Sequence, residues 1–95
     1  MARRNPAKLA EKLLAIRTKL GFSQRGLIRA MGFEEELTQA EISMFESGRR
    51  IPNLLVLRRY AQMAGIWTDY LIEDEWHLPI DLPSQMNNRK KSQDN

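Results

Sequence analysis

The chain has no cysteine and a single histidine, His77. That inventory removes disulfide frameworks, thiolate zinc sites and cysteine nucleophiles, and it leaves the serines without a paired base for a nucleophilic triad. No Gly-rich phosphate loop occurs. The adjacent Glu34, Glu35 and Glu36 are too solvated and too close in sequence for tuned acid and base roles. Enzymatic activity, a bound metal and a cofactor are therefore not expected. Nor does any apolar run approach the roughly 18 residues of a membrane span, and Met1-Ala2-Arg3-Arg4-Asn5-Pro6 has no apolar signal core behind it. A cytoplasmic protein without membrane contact is the expectation.

What is present suits one helical domain. Ninety-five residues, 42% of them hydrophobic, support a single modest core. The net charge of +3 is the remainder of larger, segregated blocks. Arg3, Arg4, Lys8, Lys12, Arg17, Lys19, Arg25 and Arg29 face only Glu11 in the first third of the chain, and Arg49, Arg50, Arg58 and Arg59 follow later. Between them lie Glu34, Glu35, Glu36, Glu41 and Glu46, and a second acidic block follows from Asp69 to Asp81. Segregation of this kind suits a polyanion footprint on one side of the molecule, or simply a solvated face.

The most informative stretch runs from Leu37 to Arg50. Thr38 with Glu41 forms a capping-box pattern, and Leu37 with Ile42 a hydrophobic staple. Ile42 and Phe45 give one apolar stripe, and Gly48 is the residue type that closes a helix in the left-handed conformation. A short helix from Gln39 to Ser47 follows, with Gln39, Ala40, Ser43 and Met44 on its free face and Arg49 and Arg50 directly after it. Such a face can meet base edges while arginines hold phosphates.

Around it the same signals repeat. Asn5 and Pro6 are expected to open a helix through Leu9, Leu13, Ile16 and Leu20, stopped by Gly21. Ser23 caps a second, carrying Leu27, Ile28 and Met31 and ending at Gly32; Gly26 inside it requires either support from packing or a close neighbour. Asn53 caps a fourth through Leu54, Leu57, Tyr60, Ala61 and Ala64 to Gly65, and Thr68 a short fifth to about Ile72. Prolines make residues 78–83 extended. The organisation expected is a flexible basic arm (1–5), a helical domain (6–75), an extended apolar segment (76–83) and a disordered tail (84–95).

Arg17-Thr-Lys-Leu-Gly-Phe-Ser-Gln24, Leu27, Gly32, Thr38-Gln-Ala-Glu-Ile-Ser-Met-Phe-Glu-Ser-Gly-Arg49, Pro52, Leu57, Ala61 and Gly65-Ile-Trp-Thr-Asp-Tyr-Leu71 resemble the lambda-repressor-like (Xre-type) helix-turn-helix proteins. The resemblance implies an all-α, compact five-helix domain that binds double-stranded DNA, its third helix in the major groove. By position, Gln24 looks like a phosphate-clamping residue, with Arg25 beside it. Gln39, Ala40, Ser43 and Met44 fall where bases are read, and Ser47, Arg49 and Arg50 where the backbone is held. Arg17 and Glu46 match a partly buried salt bridge between the first and third helices. The link from Phe33 to Leu37 is longer than the family's usual turn.

Energetics favour a homodimer, since one such domain makes few base contacts and a two-fold pair doubles them. Trp67, Tyr70, Leu71 and Trp76 are the expected interface, with completion of the monomer core as the alternative use of this Trp-rich region. The function expected is a dimeric transcriptional regulator, a repressor of bacterial or phage type. The alternative is an antitoxin-like module that covers a partner protein, a toxin or another regulator, with Trp76 to Leu82.

Overall fold

The computed structural model describes residues 6–83, which form α1 (Leu9–Leu20), α2 (Gln24–Met31), α3 (Gln39–Ser47), α4 (Leu54–Ala64) and α5 (Asp69–Ile72). No strand occurs among them. The arm expected at residues 1–5, with Arg3 and Arg4, and the tail expected at 84–95 lie outside the described residues.

Local chemistry sets most boundaries. Ser23 Oγ accepts the Gly26 amide at 2.9 Å, and Asn53 Oδ1 accepts the Val56 amide at 2.9 Å. Thr38 and Glu41 form the reciprocal capping box, with the Thr38 amide donating to Glu41 Oε1 at 3.0 Å and the Glu41 amide to Thr38 Oγ1 at 3.2 Å. Two orphan donors at the start of α3 are thereby satisfied. Gly26 is explained by its own cap, because a Cβ there would stand 3.0 Å from Ser23 Oγ. At the other end of α3, Gly48 takes φ +81°, and the Arg49 amide turns back to the Met44 carbonyl at 2.9 Å. A side chain at Gly48 would be strained in this left-handed backbone.

Two helix starts differ from expectation. α1 begins at Leu9 rather than at Pro6, and Lys8 in its cap position makes no side-chain bond. Instead the amides of Ala7 and Lys8 each donate to the Asp74 carboxylate at 3.0 Å, so the cap comes from the far end of the chain. Asn5, the expected cap, lies outside the described residues. Thr68 does not cap α5: its backbone is already helical (φ −57°, ψ −29°), because the turn opens earlier with the Tyr70 amide on the Trp67 carbonyl at 3.0 Å.

α1 packs against α3, α4 and α5, and α2 against α3 and α4. Leu13, Ile16, Leu27, Ile42, Tyr60, Leu71 and Leu82 are fully buried. Each such aliphatic side chain contributes about 1.5–3 kcal/mol by leaving water. Leu82 belongs to this set, so residues 76–83, expected to be extended, lie against the core. They continue a strap, residues 73–83, that follows α1 from its start to its end. Asp74 holds the first amides; Lys12 Nζ donates to the carbonyls of Tyr70 (2.7 Å), Glu73 (2.8 Å) and Trp76 (2.8 Å); Lys19 Nζ donates to the Ile80 carbonyl at 2.9 Å. Lys12, counted above with the basic footprint, is buried and offers no charge to a polyanion. The three N–H bonds of an ammonium match its three carbonyl acceptors. Burial lowers its pKa from the ordinary lysine value, with Asp74 as the main opposing influence.

Lys12→Met keeps the packing volume and removes the donors, so it should lower unfolding stability by about 2–3 kcal/mol in urea titration, with carbonyls left unmet. An unchanged midpoint would show that the clamp is not stabilising. The Asp74 carboxyl is held below the usual aspartate range by the amides of Ala7 and Lys8. A depressed folded-state pKa means that its contribution is complete above 3.8, the unperturbed value, and fades as pH falls through the lower folded-state value. Asp74→Asn should therefore flatten the acid side of the stability curve below that pH, as followed by urea titration across the acid range.

Candidate nucleic-acid interface

α2 and α3 meet through a link whose extra residues make one additional hydrogen-bonded turn. The Leu37 amide donates to the Phe33 carbonyl at 2.9 Å, and the Arg59 guanidinium lies 5.4 Å from the centre of the Phe33 ring. The turn is thus fastened to α4. Glu36 lines a cleft with Leu37, Glu41, Arg50, Asn53 and Val56 on the side of α3 that faces α4.

Ile42 and Phe45 point α3 inward, so Gln39, Ala40, Ser43 and Ser47 form an exposed row and Met44 lies half-buried at its edge. Helical spacing puts the two carboxylates of α3 on its flanks. Both are engaged there. Glu41 Oε2 is 3.3 Å from Arg50 Nη1, and Glu46 receives Arg17 through Nε at 2.6 Å and Nη2 at 3.1 Å. The Arg17–Glu46 side chains retain only 15% and 7% of their exposure. Arg17 Nη1 also donates to the Phe22 carbonyl at 2.9 Å, so one guanidinium joins α1, the α1–α2 turn and α3. The bidentate bond to Glu46 raises the Arg17 pKa further above its already high value. Tyr60 Oη is buried in this region without a hydrogen-bond partner among the described residues, and burial, then the Glu46 charge, raise its pKa.

A second network leaves Glu46 toward the exposed row. Gln24 Nε2 donates to Glu46 Oε1 at 3.1 Å, Gln39 Nε2 donates to Gln24 Oε1 at 3.2 Å, and Arg25 Nε donates to Gln39 Oε1 at 2.9 Å. The sequence-derived residues Arg17, Gln24, Arg25, Gln39 and Glu46 are brought together. Ser47 Oγ donates to the Met44 carbonyl at 3.2 Å, and Ser47 and Arg49 remain exposed. Arg50 is also exposed, but its ion pair with Glu41 draws it toward the α4 side. Sequence reasoning missed Lys12 and Asp74 as structural residues. The only local hint was a lysine one turn from Leu9 on an otherwise apolar face.

The four residues expected at a dimer interface separate. Leu71 is fully buried in the chain's own core and has no surface to offer, which corrects that expectation. Trp67 is 75% exposed, and Trp76, 42% exposed, meets half-buried Tyr70 edge-on with ring centres 5.0 Å apart. The segment expected to cover a protein partner is likewise partly committed, since Leu82 is buried and Leu78 packs against the core.

Two helices joined by a short link, the second with an uncharged outward row, define a helix-turn-helix domain. The helix-turn-helix family model HTH_3 matches residues 13–71, and the chain belongs to this lambda-repressor-like (Xre-type) family of DNA-binding regulators. No curated protein and no solved structure matches the chain. Among the described residues no helix is long and apolar enough to cross a membrane.

Arg17→Met should destabilise the fold by about 3–5 kcal/mol, the range seen when one partner of a buried pair is removed and the other is left uncompensated. A loss under about 1 kcal/mol in chemical denaturation would place the pair with ordinary surface ion pairs.

Proposed function

We propose that this protein is a sequence-specific, dimeric transcriptional repressor that reads a near-palindromic operator with α3 in the major groove. The observation that carries this reading is the outward row of α3. Gln39, Ala40, Ser43 and Ser47 are uncharged, and the carboxylates on either side are paired to Arg50 and Arg17. Such a row approaches phosphates without an uncompensated negative charge and offers an amide, a methyl group and hydroxyls to base edges. Gln39 reads adenine, Ala40 and Met44 meet apolar base surface, and Ser47 and Arg49 hold the backbone past the helix end. Gln24 and Arg25 approach the duplex from the start of α2. Trp67, with Tyr70 and Trp76, supplies the two-fold contact, and the half-sites lie about one helical turn apart.

The second reading is an antitoxin-like module covering a partner protein. It retains Trp76 and Ile80 as exposed apolar side chains in the strap. Absence of binding to any duplex at low salt would favour it.

Selection from a random duplex pool should return a two-fold symmetric site, and sedimentation should show two chains on it. Within that site Gln39→Ala should flatten preference at one base pair in each half. Arg49→Ala should weaken all sequences alike and reduce the salt slope by about one. Arg50→Ala should do less, since Glu41 already holds that guanidinium. Recovery of no common sequence, or equal effects of the Gln39 and Arg49 changes at every position, would end this reading.

A further inference from the structure

The polar chain across α2 and α3 begins and ends on groups that cannot exchange roles. Glu46, ionised and paired with Arg17, only accepts; the Arg25 guanidinium only donates. Between them stand two amides, each able in isolation to flip its oxygen and nitrogen. Here neither can. Turning Gln24 would set its oxygen against the Glu46 carboxylate, and turning Gln39 would set its NH2 group against Arg25 Nε and its oxygen against Gln24 Oε1. The bonds Glu46 Oε1 to Gln24 Nε2, Gln24 Oε1 to Gln39 Nε2 and Gln39 Oε1 to Arg25 Nε, at 3.1, 3.2 and 2.9 Å, therefore have one permitted direction.

We propose that Arg25 is a specificity-determining residue that fixes the polarity of the Gln39 amide, and with it the choice of adenine over guanine at the base pair Gln39 reads. This rests on the reading of α3 given above. After its two internal bonds Gln39 still has one N–H and one oxygen lone pair, in an order held by Arg25 at the oxygen and by Gln24 at the nitrogen. Adenine presents one acceptor, N7, and one donor, the N6 amine, which match that pair; guanine presents two acceptors, N7 and O6. A free amide can turn its NH2 group between the two guanine acceptors. A pinned amide confronts O6 with an oxygen. Arg25 thus acts by orientation and not only by charge, while Glu46 and Gln24 are positioning residues that transmit the direction from the buried ion pair. Arg25 is exposed on α2, so its replacement does not disturb the core.

The experiment uses the full chain and the operator selected from random duplexes, with the Gln39 base pair identified as the one whose preference Gln39→Ala flattens. Binding of the wild type, Arg25→Met, Gln39→Ala and the double variant is compared on the adenine and guanine forms of that position. Arg25→Met should reduce the adenine-to-guanine affinity ratio by about fivefold or more, and the double variant should be no flatter than Gln39→Ala alone. If Arg25→Met weakens both forms equally and leaves the ratio intact, Arg25 is only a phosphate contact and the inference is overturned by itself. If Gln39→Ala flattens no position, the reading of α3 falls and takes this inference with it.

Discussion

The Arg17–Glu46 pair is the constraint on which the recognition unit depends. α3 is nine residues long, and a helix of that length has little stability of its own. Its pitch and rotation are set by what grips it from behind: Ile42 and Phe45 by burial, and Glu46 by a bidentate bond to a guanidinium that also holds the Phe22 carbonyl. The apolar contacts set how deeply α3 sits, and the planar fork adds a directional restraint that apolar contacts lack. A carboxylate this enclosed requires its partner, and that partner reaches it from α1.

From this anchor the electrostatics of the surface follow. α3 carries two acidic side chains, which would oppose approach to a phosphate backbone if both stood in the open. One is consumed by the anchor and the other completes the capping box while contacting Arg50. The helix thereby keeps glutamates for its own stability without presenting them on its outward row. The turn before it is held from α4, with Phe33 seated beneath Arg59, and Glu36 lines the cleft toward α4 while Glu34 and Glu35 remain exposed.

Much of this was legible because it is encoded over short distances. The caps Ser23, Thr38 and Asn53, and the closing glycines, act through bonds to residues three or four places away, so the limits of α2, α3 and α4 could be read from local patterns. The outward row of α3 followed from helical spacing, and Arg17 with Glu46 from the family resemblance. What escaped is long-range. The cap of α1 comes from Asp74, and the acceptors for Lys12 lie beyond residue 69; no window around either residue contains its partner. Thr68 misled for the opposite reason: a residue type suited to capping stands where the chain has already turned. Arg25 read as one more positive charge until its contact with Gln39 gave it a direction.

The strap has a consequence for where the molecule can be divided. Lys12 and residues 73–83 lie on opposite sides of the span that matches the family, yet they hold one another. Excising both together removes the ammonium with most of its acceptors and leaves a smaller module with no stranded ion. Trimming the carboxyl-terminal side alone leaves the ammonium with the Tyr70 carbonyl and takes away its acceptors on Glu73 and Trp76. The borders of the shared module and those of the cooperative unit therefore fall at different residues, and a chimera grafted at one pair of borders inherits a different molecule from a chimera grafted at the other.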